Sequence, residues 1–80
     1  MKINPYASNM TELTTDNAII LFSYQTPVAA FVIDRGLLRT KQWYSQTTTR
    51  HINKWLNQEF PSTDRVVTEV EQSEINQLVK

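Results

Sequence analysis

An α+β fold follows from three features of this chain: an antiparallel β-meander of 3–4 strands packed against one α-helix, closed by a C-terminal strand and a short helix. Two short apolar runs, Ala18–Ser23 and 28–33, are dominated by aliphatic and aromatic side chains and are too short for helices. From residue 50 the apolar positions switch to helical spacing, with Ile52, Trp55 and Leu56 forming one stripe. The tail returns to alternation at Val66, Thr68 and Val70, then shows helical spacing again at Ile75, Leu78 and Val79. With 80 residues, 40% of them hydrophobic, the chain is sized for one core, and a single domain over residues 1–80 is expected.

Residues 1–10 contain Pro5 and several small polar residues without a sustained period, and are expected as a flexible arm. Residues 10–15 alternate weakly, and Asp16-Asn17 forms the turn that feeds the first apolar strand. Tyr24-Gln25-Thr26-Pro27 is the next connection, because Pro27 lacks a ladder donor and sits best at a strand start. The second apolar strand ends at Asp34-Arg35-Gly36. Gly36 is the only glycine in the chain and supplies a positive φ for a hairpin, so residues 37–41 return antiparallel.

Ser45 and the threonines at 47–49 provide N-cap chemistry for the helix, whose outer side carries Arg50, Asn53, Lys54 and Asn57. Pro61 ends it after Phe60. Trp55 is expected to anchor the helix to the sheet, and Ser73 to cap the terminal helix.

The chain has no cysteine, which excludes disulfides, thiolate metal sites and thiol nucleophiles. The opening Met1-Lys2-Ile3-Asn4-Pro5 lacks the apolar run of a signal peptide, and no stretch reaches the length of a membrane span. A cytoplasmic location and no membrane partner are therefore expected. A net charge of zero conceals three blocks. Lys2 stands against Glu12, Asp16 and Asp34. Arg35, Arg39, Lys41, Arg50 and Lys54 then follow with no acid among them. Finally, Arg65 and Lys80 stand against Glu59, Asp64, Glu69, Glu71 and Glu74. Ordinary surface pairing between blocks is favoured over separate basic and acidic faces.

His51 is the only histidine. Ser45, His51 and Asp34 nominally supply a triad, but no strained nucleophile turn accompanies them, and no metal-ligand spacing surrounds His51. Neither an enzyme, a cofactor nor a metal is expected. His51 is read as a first-turn helix residue bonded to the preceding loop. The segment from Arg39 to Lys54 combines cations, aromatics and hydroxyls without an acid, a composition suited to phosphates and unstacked bases. It also suits protein-interface hot spots, which favour exposed aromatics beside arginines. Arg39, Lys41, Trp43, Tyr44, Arg50 and Lys54 are the candidate partner-binding residues.

Ser23-Tyr24, Thr26, Val28-Ala29, Tyr44-Ser45, Thr47-Thr48, His51, Asn53 and Trp55 resemble the pattern of a family of small, uncharacterised bacteriophage proteins. The match spans about half the chain and leaves out Trp43 and the acidic last third. The resemblance implies a phage origin and, with it, the host cytoplasm, without assigning a reaction. Physically, Ser45, Thr48, His51, Asn53 and Trp55 read as a structural network fixing the loop to the helix start. Ser45 and Thr48 cap amides, while His51 and Asn53 bond to hairpin carbonyls.

The expected function is a phage-type accessory protein that binds a host protein or host defence complex without catalysis, as a modulator or inhibitor. The alternative is a nucleic-acid-binding accessory protein using residues 39–54. A homo-oligomer formed through an exposed strand edge ranks third.

Overall fold

Residues 1–79 are described by a computed structural model in which six strands form one sheet in sequence order. β1 (Lys2–Ala7), β2 (Met10–Thr14), β3 (Ala18–Ser23), β4 (Thr26–Val32) and β5 (Gly36–Thr40) run antiparallel. α1 (Gln46–Glu59) then leads to β6 (Val67–Val70), which lies parallel to β5, and α2 (Gln72–Leu78) follows.

The meander has five strands where 3–4 were expected, and the C-terminal strand, for which the sequence implied no direction, joins it in parallel for a geometric reason. The 14 residues of α1 span about 21 Å, more than the roughly 17 Å of a five-residue strand. The helix therefore carries the chain back past the start of β5, and the next strand enters in the same direction.

The sheet is covered on both faces, where the sequence reading placed a single helix on one. Leu21, Ala29 and Leu37 pack with Met10 beneath Ile52, Trp55 and Leu56 of α1. Their neighbours Ile20, Ala30, Leu38 and Val70 form a second core with Ile75 of α2. Strands buried on both faces read as continuous apolar runs rather than alternating ones, which is the pattern of 18–22 and 28–33. A register shift opposite Leu21 and Phe22 leaves Val28 as an extra residue, since Leu21 pairs with Ala29 and Phe22 with Pro27. This bulge turns both Val28 and Ala29 into the core under α1.

Residues 2–7, expected as part of an arm, form the edge strand β1. Pro5 within it cannot donate to a further strand, and the register shifts between Pro5 and Ala7. The other edge, β6, has only four residues. Proline, irregularity and shortness are the devices that blunt sheet edges against self-association.

Ser45 caps α1, its Oγ accepting from the Thr48 amide at 3.1 Å. At the other end Arg65 donates to the carbonyls of Leu56 and Phe60 at 3.1 and 2.8 Å and to Asn57 Oδ1 at 2.8 Å. A cation thus meets the negative end of the helix dipole. α2 starts two residues earlier than the Ser73 cap implied. Its N-cap is Glu71, with no side-chain cap, and Ser73 lies inside the first turn.

The charge blocks interleave on folding: Arg35 pairs with Glu74 at 3.0 Å and Lys41 with Glu71 at 3.4 Å. Among the described residues no helix is long and apolar enough to cross a membrane.

Candidate functional site

The strand directions gather five connections at one end of the sheet. These are the Ser8-Asn9 turn, the Tyr24-Gln25 turn, the 41–45 loop, the start of α1 and the β6–α2 junction. The Tyr24 amide donates to the Asn9 carbonyl at 2.8 Å, which ties the first two turns together.

A chain of hydroxyl groups links this end to α1. Alternation along β3 sends Ser23, like Leu21, toward α1, where Ser23 Oγ lies 3.1 Å from Thr48 Oγ1 and 2.7 Å from His51 Nδ1. Ser45 Oγ accepts from the Thr48 amide, so its own hydroxyl donates to Thr48 Oγ1 at 3.3 Å. Either hydroxyl can donate in the Ser23–Thr48 bond, and the direction of the Ser23–His51 bond follows the imidazole tautomer. Loss of water around the ring, and secondarily the charge of Lys54, hold the His51 pKa below its usual 6.5. The neutral ring suits its place at the end of this chain.

A hydroxyl hydrogen-bonded to an imidazole is also the opening arrangement of a nucleophile and its base. Here Ser23 is only 2% exposed and already engaged with Thr48, so its oxygen faces packed helix rather than open surface. Asp34, the nominal third member, sits in the turn at the opposite end of the sheet. Ser45 reaches His51 only through Thr48 and Ser23. Among the described residues no group of three or more His, Cys, Asp or Glu is arranged to hold a metal.

His51 lies in the second turn of α1 and bonds to a strand hydroxyl, where a first-turn position, a bond to the preceding loop and a bond to a hairpin carbonyl had been expected. Asn53 likewise makes no hairpin-carbonyl bond. Its Oδ1 is 3.5 Å from Arg39 Nη1. Trp55 is fully buried and bonded to Glu12.

The candidate partner-binding residues separate on folding. Trp43 is 69% exposed in the loop before α1, and Arg50 and Lys54 are exposed on the helix. Tyr44 turns inward against the core under α1, Lys41 is paired with Glu71, and Arg39 is half-buried with its Nε lacking a hydrogen-bond partner.

Tyr24 belongs to the exposed end, in a connection whose sequence carries no local sign of a binding role. The connection is only two residues long, because Ser23 pairs with Thr26, and Tyr24 therefore adopts a φ of 57°. Glycine and asparagine take that left-handed conformation readily, whereas a bulky side chain there is strained. Tyr24 is 53% exposed, with its ring centroid 5.7 Å from that of His51. Tyr24 borders two depressions. One, of about 670 Å³, is bounded by Pro5, Asn9 and Met10. The other, of about 280 Å³, is bounded by Ile3, Leu13 and Phe22.

Fold and site together define a small mixed-sheet domain, helices on both faces, whose distinctive chemistry is an internal hydroxyl–imidazole chain beneath an exposed aromatic turn. The chain belongs to DUF8033, a family of unknown function, which matches residues 1–77. No curated protein and no solved structure matches it.

Proposed function

We propose that this protein is a non-enzymatic binding module of the phage accessory type, acting in the host cytoplasm by occupying a surface of a host protein or host defence complex. The conformation of Tyr24 carries this reading. A two-residue turn would form at lower cost with glycine or asparagine, yet the position holds a large, half-exposed aromatic residue bordering two depressions. Strain retained together with an exposed aromatic is better accounted for by a contact surface than by folding, since aromatic anchors dominate interface energies. Trp43 adds a second exposed ring at the same end.

The hydroxyl chain has a supporting part in this reading. It fixes His51 under Tyr24 and so holds the aromatic turn in place, as inner contacts pre-organise a binding surface. The resemblance of the Ser23–Trp55 pattern to small bacteriophage proteins supports the accessory role.

A photo-crosslinking residue placed at Gln25 or at Trp43, with Asp34 at the opposite end as the control position, tests the proposal in host cells. A discrete host protein captured from 25 and 43, absent from 34 and lost with Tyr24→Asn, is the expected result. Identical capture from all three positions, or none from 25 and 43, would overturn it.

A further inference from the structure

We infer that the partner presents an acidic stretch of polypeptide carrying an aromatic or large aliphatic side chain to the Tyr24–Trp43 end. This rests on the binding-module reading above and specifies the partner's chemistry.

Charge placement is the first support. The Tyr24–Trp43 end carries Lys41 and Arg50, with Lys54 one helical turn beyond Arg50, and its acid, Glu71, is already paired with Lys41. The other acids lie elsewhere or are engaged. Asp16 and Asp34 occupy turns at the opposite end, and Asp64 follows the end of α1. Glu74 pairs with Arg35, while Glu12 and Glu59 accept from Trp55 and Tyr6. Glu69 stands beside Arg39 across the β5–β6 ladder. The surplus positive charge at the aromatic end is therefore Arg50 and Lys54. The first turn of α1 contains no acid, so the positive end of a 14-residue helix dipole adds to the same field.

The apolar component is the second support. Tyr24 and Trp43 present exposed rings, and Pro5 and Met10 wall the larger depression beside Tyr24. A short acidic segment with one large side chain matches both features within the reach of this end.

A nucleic acid matches them less well. Two surplus cations correspond to about two released counterions, whereas proteins that hold duplexes through the backbone neutralise on the order of 6–10 phosphates. The acids at the opposite end and the zero net charge also oppose a long polyanion.

Trp55 is buried, so Trp43 is the tryptophan that reports on this surface. Its fluorescence is followed while the intact protein is titrated with a random Glu–Tyr copolymer, a Lys–Tyr copolymer and an oligothymidylate, at low and at moderate salt. Saturable quenching by the Glu–Tyr copolymer is expected, weakened about tenfold or more in the double variant Arg50→Glu/Lys54→Glu. Equal binding of the Lys–Tyr copolymer overturns the inference. So does tighter binding of oligothymidylate, an unaffected charge-reversed variant, or no saturable binding. Both substitutions are at exposed helix positions, and an unchanged melting temperature confirms that the double variant folds. Sequencing the partner peptide crosslinked from position 25 separates the two claims. A neutral or basic segment overturns this inference and leaves the binding module standing, whereas no crosslinked partner at all overturns both.

Discussion

The indole Nε1 of Trp55, fully buried between α1 and the sheet, donates to Oε2 of Glu12 on β2 at 2.6 Å. Met10 and Glu12 share one face of β2, so a carboxylate is turned toward the helix from a strand whose other turned-in residue is a core methionine. The edge of the Phe60 ring closes on the indole with centroids 5.2 Å apart. Glu12 therefore orients the largest side chain of the core.

Removing that acceptor leaves a buried N–H unpaired. Glu12→Leu is expected to lower stability by about 1–3 kcal/mol, and Glu12→Gln, which keeps an oxygen in place, by less. Trp55→Ala, which also opens a cavity, should cost about 3–5 kcal/mol. Urea titrations of the three variants rank them. Wild-type stability in Glu12→Leu would mean that the bond contributes nothing to the fold.

Tyr6 on β1 is held to the end of α1, its hydroxyl 2.8 Å from both Gln58 Oε1 and Glu59 Oε2. Burial, the hydrogen bond to Glu59 and the negative charges of Glu59 and Glu12 push its pKa from 10.0 up to about 12. Folding favours the protonated phenol, so its contribution to stability is complete below pH 10 and is lost as pH rises from 10 toward 12. Ultraviolet titration of tyrosinate should show one late-ionising tyrosine that disappears in Tyr6→Phe. If all tyrosines titrate together in the folded protein, β1 is not docked to α1 through this hydroxyl.

Much of the fold is legible from residue spacing, and the rest is hidden for identifiable reasons. The Ile52, Trp55 and Leu56 stripe, the Ser45 cap and the helix stop before Pro61 are local, and each appears where its residues imply. Gly36 takes its turn with a φ of 80°. The second helix-covered face was hidden because attention to a helix stripe suggests one covering layer, although unbroken apolar runs at 18–22 and 28–33 already imply two. β1 was hidden because proline, a sign of loops, is also the residue that protects an edge strand. The partnership of Ser23 with His51, 28 positions apart, depends on how β3 and α1 meet, and nothing local encodes it.

The burial of His51 and the nearby charge of Lys54 give a pH dependence of known sign. His51 has a folded pKa below its usual 6.5, so the unfolded chain binds the proton more readily. The contribution of His51 to stability is present above pH 6.5 and is lost as pH falls through 6.5 toward the folded value. His51→Gln should flatten that part of the stability–pH curve. Ser23→Ala removes the hydrogen-bond partner of Nδ1 and a partner of the Thr48 hydroxyl, and should cost about 1–3 kcal/mol. NMR titration of the His51 ring checks the direction, and a folded pKa above 6.5 would reverse the argument.

Tyr24 separates folding from binding, because the substitution that removes its ring also relieves its backbone. A non-glycine residue held at positive φ costs on the order of 1–3 kcal/mol, and asparagine is among the residues that tolerate that conformation best. The contact of the Tyr24 ring with His51, at a centroid separation of 5.7 Å, offsets part of that cost, since aromatic pairs contribute about 0.5–1.5 kcal/mol. Tyr24→Asn is therefore expected to stay within about 1 kcal/mol of wild-type stability while losing its partner, and Tyr24→Phe to retain both fold and partner. Thermal melts and crosslinking yields from position 43 read the two effects separately. A loss of several kcal/mol in Tyr24→Asn would make the ring part of the fold rather than of the surface, and the exposed turn would then have no claim to a binding role.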